Sequence, residues 1–225
     1  MTAALAAASI VFKDDTSYSK KLLQGAGTVW TFARDPGKRS RYSRNNLFMA
    51  PYYNSTGYYD EYLWGGAWMC YATGNSSYLW LLRLVTPVGL PRPKVFTDDP
   101  SKQVLSWDNK LPAVMLLLTR LRVFRNPGYP YEEMLMKYHN ATMVTMCSYL
   151  HQYQIYNWTP GGLINLNQGQ VQNLQYVVNA MFLASLYVDY WDALKADSMY
   201  CGSSIPVKKL REFAISQNSN RSEIL

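Results

Sequence analysis

Histidine is nearly absent from this chain of 225 residues, with two in all, and cysteine is scarce, with three. Cys70, Cys147 and Cys201 do not fall at metal-ligand spacing, and an odd count leaves at least one thiol unpaired. His139 and His151 are too few and too far apart for a metal or nucleophile constellation. There is no G-x-S-x-G elbow, no paired C-x-x-C and no Gly-rich phosphate loop, which removes serine-hydrolase, zinc and nucleotide readings. No cofactor and no metal is therefore expected. Long apolar runs are missing too: no stretch reaches the ~18 residues of a membrane helix. The opening MTAALAAASIVFKDD has no basic residue ahead of its apolar run and leads straight into another helical pattern, so it reads as a buried helix and not as a signal peptide. As written, the chain is expected to carry neither signal nor anchor.

What is present points to a folded chain with many rings. Hydrophobic residues make up 48% and charged residues only 16%, enough for one sizeable core. Nineteen tyrosines and seven tryptophans dominate the aromatics. Such rings pack inward while showing a polar edge or a flat face to a sugar or a base. The net charge of +7 would suit nucleic acid, but the positive charge forms no stripe. Arg34, Lys38, Arg39, Arg41 and Arg44 cluster in one polar segment and Lys208, Lys209 and Arg211 in another, outside any nucleic-acid motif. No nucleic-acid partner is expected. Sequons stand at Asn54, Asn75, Asn140, Asn157 and Asn220, where composition alone would give about two, a hint of secretory history.

Helical periodicity runs through most of the chain. Tyr18, Leu22, Ala26, Val29 and Ala33 form a stripe opened by Thr16 or Ser17 and closed near Pro36-Gly37, and a basic, Asn-rich loop follows to about Tyr53. A second pattern covers Gly57 to Thr73, and Ser76 or Ser77 caps a short helix to about Leu84. Residues 86–105, with Pro87, Pro91, Pro93 and Pro100, read as a loop. Ser106 caps a predicted helix from Trp107 to Phe124, and another spans Tyr131 to Tyr149. A turn at Thr159 to Gly162 precedes a short extended piece at 163–168, then a long helix, Leu174 to Leu194, apolar over much of its circumference. A last helix covers Val207 to about Gln217. The sum is about eight helices without convincing strand pairs: an all-α array of paired helices.

Aromatics beside acids mark the candidate chemistry: Tyr58, Tyr59, Asp60, Glu61 and Trp64 in one place, Trp107 and Asp108 in another. Sugar rings stack C–H faces on aromatics, and carboxylates accept hydroxyl hydrogen bonds. Packing alone also explains Trp64 and Trp68, which lie on a helical stripe. Adjacent acids such as Asp60-Glu61, Asp98-Asp99 and Glu132-Glu133 do not suit a glycosidase acid and base. Neighbours on a helix point about 100° apart, whereas the two carboxyls must flank one bond about 5–9.5 Å apart.

The run from Tyr53 to Trp68, YNSTGYYDEYLWGGAW, with YATGNSSYL from Tyr71 to Leu79, resembles the D-E-x-x-W-G-A/G-A-W helix of family 9 glycoside hydrolases. LSWDNK (Leu105 to Lys110), PGYPYEE (Pro127 to Glu133), TPGGL (Thr159 to Leu163) and LQYVVNA (Leu174 to Ala180) follow in the order found in plant, membrane-anchored KORRIGAN-like endo-β-1,4-glucanases. The resemblance implies an incomplete (α/α)6 barrel of paired helices, with residues 1–217 as a partial catalytic domain and 218–225 as a divergent polar tail. It further implies inverting hydrolysis of β-1,4-glucan (cellulose) in plant cell-wall metabolism, at the plasma membrane, the Golgi or the wall. By motif position, Asp60, Trp64, Trp107 and Asp108 are expected to contact glucan or support the cleft. The family's base lies in an Asp-Ala-Gly-Asp motif upstream of the helix that Met1 to Phe12 resembles, and its acid, with a cleft histidine and arginine, beyond Gln217. Neither motif occurs here, and residues 84–104 replace the family's Gly- and aromatic-rich loop with a proline-rich one. No catalytic residue is thus assigned within this chain, which is expected to be inactive alone. A non-catalytic glucan-binding remnant or an unstable gene fragment is the competing expectation.

Overall fold

The computed structural model describes residues 1–38, 40–41, 43–83, 103–166 and 173–219. The chain divides into two compact units, residues 1–93 and 94–225.

In the first unit, α1 (Thr2–Val11), α2 (Thr16–Arg34), a 3-10 turn (Pro36–Lys38), α3 (Tyr59–Thr73) and α4 (Ser77–Arg83) follow in order. Helix α1 is alanine-rich, the best helix former. It buries only one face, through Thr2, Ala3, Ala6 and Ser9, while Val11 and Phe12 at its end are exposed. The expectation of a buried helix is corrected to that extent, because small alanines let one side approach its neighbours without covering the other. Asp15, not Thr16 or Ser17, caps α2: its Oδ1 accepts from the Tyr18 amide at 2.9 Å. Asn75 does the same for α4, accepting from the Ser77 amide at 2.9 Å.

The small residues of the GGA run let α3 come close. A Cβ on Gly65 would lie 3.0 Å from the Trp30 ring of α2 and 3.7 Å from Thr2 of α1. Helix α1 packs on both α2 and α3, and α3 on α4. The Tyr62 hydroxyl, on α3, donates to the Ala33 carbonyl of α2. Gly74, with φ of 70°, ends α3 in the left-handed conformation that favours glycine.

The second unit runs α5 (Leu111–Arg125), α6 (Glu132–Ser148), β1 (Asn157–Trp158), β2 (Ile164–Asn165), α7 (Asn173–Ala193), β3 (Ser198–Tyr200), β4 (Ser204–Pro206) and α8 (Lys208–Ser219). Helix α5 starts at Leu111 and not at the expected Trp107. Pro112 is tolerated only in a first turn, so a helix begun at Trp107 would hold it in the interior. Asn109 Oδ1 accepts from the Leu111 amide at 3.0 Å in place of the expected Ser106 cap. The expectation of no strand pairs is also corrected. Strands β1 and β2 pair antiparallel, as do β3 and β4. At two or three residues each they are too short for alternation to register.

Helices α5 with α6 and α7 with α8 pack as sequential pairs, and α5 also touches α7. The all-α expectation holds, with eight α-helices among the described residues. Alternate helices touching as well as consecutive ones, α1 with α3 and α5 with α7, are the neighbour relations of an (α/α) double ring. Val177, Ala180, Leu183, Ala184, Tyr187 and Val188 of α7 enter the core, while Val178 and Phe182 on its other side are exposed. A disulfide joins Cys147, at the end of α6, to Cys201 in the β3–β4 turn, and Cys70 is buried and takes no part in a disulfide. Helix α8 includes Asn218 and Ser219 of the expected polar tail. Residues 220–225 and most of the proline-rich segment, 84–102, lie outside the described residues.

Candidate functional site

Asp60 and Glu61 occupy the first turn of α3, where the helix dipole favours carboxylates. Their exposures differ as a 100° step requires: Asp60 is buried and Glu61 exposed. Trp64 stands one turn further along the face of Asp60. It is half-buried and meets Trp68 edge to face, with centroids 5.6 Å apart. Trp64 therefore combines packing with a partly open ring.

Trp107 and Asp108, both half-buried, belong to the turn ahead of α5 and not to the helix. That turn is tied at several points. The Ser106 amide donates to the Asn109 carbonyl at 2.9 Å, the Asp108 amide to Ser106 Oγ at 3.3 Å, and Lys110 Nζ to the Trp107 carbonyl at 2.6 Å. Asn179 of α7 donates to the Leu105 carbonyl at 3.0 Å, fastening the turn to α7. Asp60 and Trp64 thus lie in the first unit and Trp107 and Asp108 in the second, each pair at the N-terminal end of a helix.

Rings that sequence patterning passed over stand in the loop before α3. Phe48 and Tyr52 are largely exposed and Tyr53 half so. The loop is held by Arg41, whose guanidinium donates to the Ser55 carbonyl at 3.0 Å, and by Ser43 Oγ donating to Asn54 Oδ1 at 3.3 Å. The signal for them in the sequence is the Tyr52-Tyr53 pair directly after Pro51, where the basic, Asn-rich segment meets the motif run that opens at Tyr53.

Five other acids are engaged in ion pairs. Glu132 meets Arg122 at 2.6 Å, Glu133 meets Lys137 at 2.8 Å, and Asp189 and Asp192 share Arg211 at 3.0 Å each. Lys209 pairs with Glu212, so the second basic cluster is partly neutralised. Asp98 and Asp99 lie outside the described residues. His139 approaches Arg122 through Nδ1 at 2.9 Å and sits edge-on to Trp191. Desolvation first, then the Arg122 charge, lowers its pKa, against a smaller upward pull from Glu132. The sequon residues Asn54, Asn75, Asn140 and Asn157 are all exposed, and Asn220 is outside the described residues. Among the described residues no helix is long and apolar enough to cross a membrane.

Comparison with known proteins agrees with this architecture. Endoglucanase 12 of Oryza sativa subsp. japonica is 52% identical over 219 residues, covering 96% of this chain and 35% of the relative. Endoglucanase 25 of Arabidopsis thaliana is 52% identical over 218 residues, covering 96% and 34%. The chain spans about a third of the length of these curated relatives. The solved endoglucanase of the termite Nasutitermes takasagoensis matches with a TM-score of 0.67 at 26% identity, over 97% of this chain and 42% of that one. The family model for glycosyl hydrolase family 9 matches residues 1–219. With that match spanning all but the last six residues of an array of paired helices, the chain belongs to glycosyl hydrolase family 9, a family of glycoside hydrolases.

Proposed function

We propose that the whole protein is an endo-β-1,4-glucanase acting on cellulose-like glucan in the plant cell wall, and that residues 1–219 contribute cleft wall and not the reacting carboxylates. The observation that carries this is the identity of about one half, over nearly the whole chain, to plant endoglucanases. Asp60, Trp64, Trp107 and Asp108 are the proposed glucan-contacting or cleft-supporting residues, with Tyr52 and Tyr53 as added stacking faces. Three features support this choice: partly open rings next to carboxylates, helix N-termini that favour negative charge, and a turn at Trp107 already held by hydrogen bonds before any ligand arrives. The acid and base are proposed to lie outside these residues. Asp60 and Glu61 diverge along α3, and the acids of α6 and α7 are engaged with Arg122, Lys137 and Arg211.

A secretory route, ending at the plasma membrane, Golgi or wall, is proposed with it. A disulfide persists in oxidising compartments, and the four described sequon residues are open to solvent. The test is release of reducing ends from carboxymethylcellulose by the chain as given, beside a version extended with a relative's flanking segments. The extended form alone should cleave. Equal cleavage by the chain as given would overturn the assignment of acid and base elsewhere, and Asp60, Glu61 and Asp108 would then be the carboxylates to replace. In the extended form, Trp107→Ala should lower kcat/KM while leaving the thermal midpoint close to the parent's.

A further inference from the structure

The second unit carries an open depression of about 520 Å³ that the cleft residues do not touch. Tyr149, Leu150 and His151 from the end of α6, Trp158 and Thr159 from the β1–β2 hairpin, and Phe213 from α8 contribute to its lining. The volume is within the range of ligand sites, about 300–1,000 Å³. The apolar part is aromatic. Tyr149 lies flat against Phe213 at 5.2 Å and 8°, Trp158 meets Phe213 edge-on at 6.0 Å, and His151 stacks on Trp158 at 3.7 Å and 27°.

His151 is unusual in two ways. Its φ of 57° is left-handed, a conformation that costs a bulky side chain energy and that glycine or asparagine would take more readily after a helix. The residue as a whole is also exposed, so burial does not explain the stack. Local bonds hold the backbone there: the Leu150 and Gln152 amides both donate to the Cys147 carbonyl, at 3.0 and 3.2 Å. A strained, exposed residue kept by its surroundings at the lining of a depression is the pattern of a contact site.

The polar rim indicates which ligand fits. Lys209 and Glu212 face the depression as a pair 2.7 Å apart, so the rim offers charged donors and acceptors with no net charge of its own. An anionic ligand would need surplus positive charge, and an alkyl chain would leave the rim's polar groups idle. A neutral polyhydroxylated ring satisfies both halves, with C–H faces on the aromatics and hydroxyls on the rim.

We propose that this depression is a second, non-catalytic site for a pyranose ring of β-1,4-glucan, with Trp158 and His151 as the stacking platform. The choice of β-glucan among neutral sugars rests on the glucanase reading above; the site itself rests on the second unit alone. The experiment is a titration of the full chain, 15N-labelled at tryptophan, with cellotetraose. The Trp158 indole resonance is identified by its loss in Trp158→Phe. It should shift and saturate, and His151→Asn, which tolerates the left-handed backbone, should weaken that response about two- to tenfold, the worth of one aromatic contact. A thermal melt confirms that His151→Asn is folded. An unmoved Trp158 resonance overturns the proposal, as does a shift that His151→Asn leaves at parental affinity. Maltotetraose binding as tightly as cellotetraose overturns the β-glucan occupant. A response at Trp158 without one at Trp64 and Trp107 upholds this site and defeats the cleft assignment, and the reverse pattern does the opposite.

Discussion

Replacing both Cys147 and Cys201 with alanine should destabilise the second unit strongly. The bridge closes a loop of sequence separation 54 that contains the β1–β2 hairpin and all of α7. For a loop of that length, the chain-entropy relation gives about 4 kcal/mol of stabilisation through the unfolded state. Both positions are buried, so alanine retains part of the apolar burial, and about 2–4 kcal/mol is the expected loss. With a urea slope of about 1–3 kcal/mol/M, the unfolding midpoint should fall by roughly 1–2 M. Urea titration followed by tryptophan fluorescence, with and without dithiothreitol, reads this directly. Reductant should lower the parent's midpoint and leave the double variant unmoved. Cys70→Ala should keep the parent's sensitivity, and the unfolded, unreduced parent should show one free thiol out of three. A double variant unfolding at the parent's midpoint, with a parent indifferent to reductant, would refute the reasoning.

Gly65→Ala gains helix propensity of about 1 kcal/mol but drives a methyl to within 3.0 Å of the buried Trp30 ring, which Tyr62 and Tyr78 hold edge-on; overpacking of about 1–3 kcal/mol should win and lower the thermal midpoint. Gln217→Leu removes the bonds from the Ile164 amide at 2.8 Å and to the Gly162 carbonyl at 2.9 Å. It should lose about 2–4 kcal/mol, and the Ile164 amide should exchange faster with solvent. His139 has a lowered folded pKa, so the unfolded chain takes up its proton first as pH falls. Its contribution to stability is full above the unfolded value near pH 6.5 and is lost as pH falls through the lowered folded value. Midpoints measured between pH 8 and pH 4 should show that slope, and His139→Gln should flatten it.

Periodicity made the helices legible because apolar residues recur along them at helical spacing. The α3 and α7 patterns stood out for that reason, down to Gly74 at the end of α3. Boundaries were less legible where a side chain competed for the cap. Asp15 displaced Thr16 because its carboxylate reaches the Tyr18 amide, and Asn109 with Pro112 moved the start of α5 past Trp107. The hairpins stayed hidden, since two-residue strands have no period to read.

Of the candidate cleft, residue type and motif alone singled out Asp60, Trp64, Trp107 and Asp108, along with an all-α fold and the family. Which of two adjacent acids is buried, that Trp107 is held in a turn, and that Cys147 pairs with Cys201 were decided by tertiary structure. So was the meeting of His151 with Trp158 and Phe213. Local pattern encodes the face a residue presents on its own helix. It carries no information about which distant segment that face will meet, and those meetings depend on how the packed helices bring the ends of α6, the β1–β2 hairpin and α8 together.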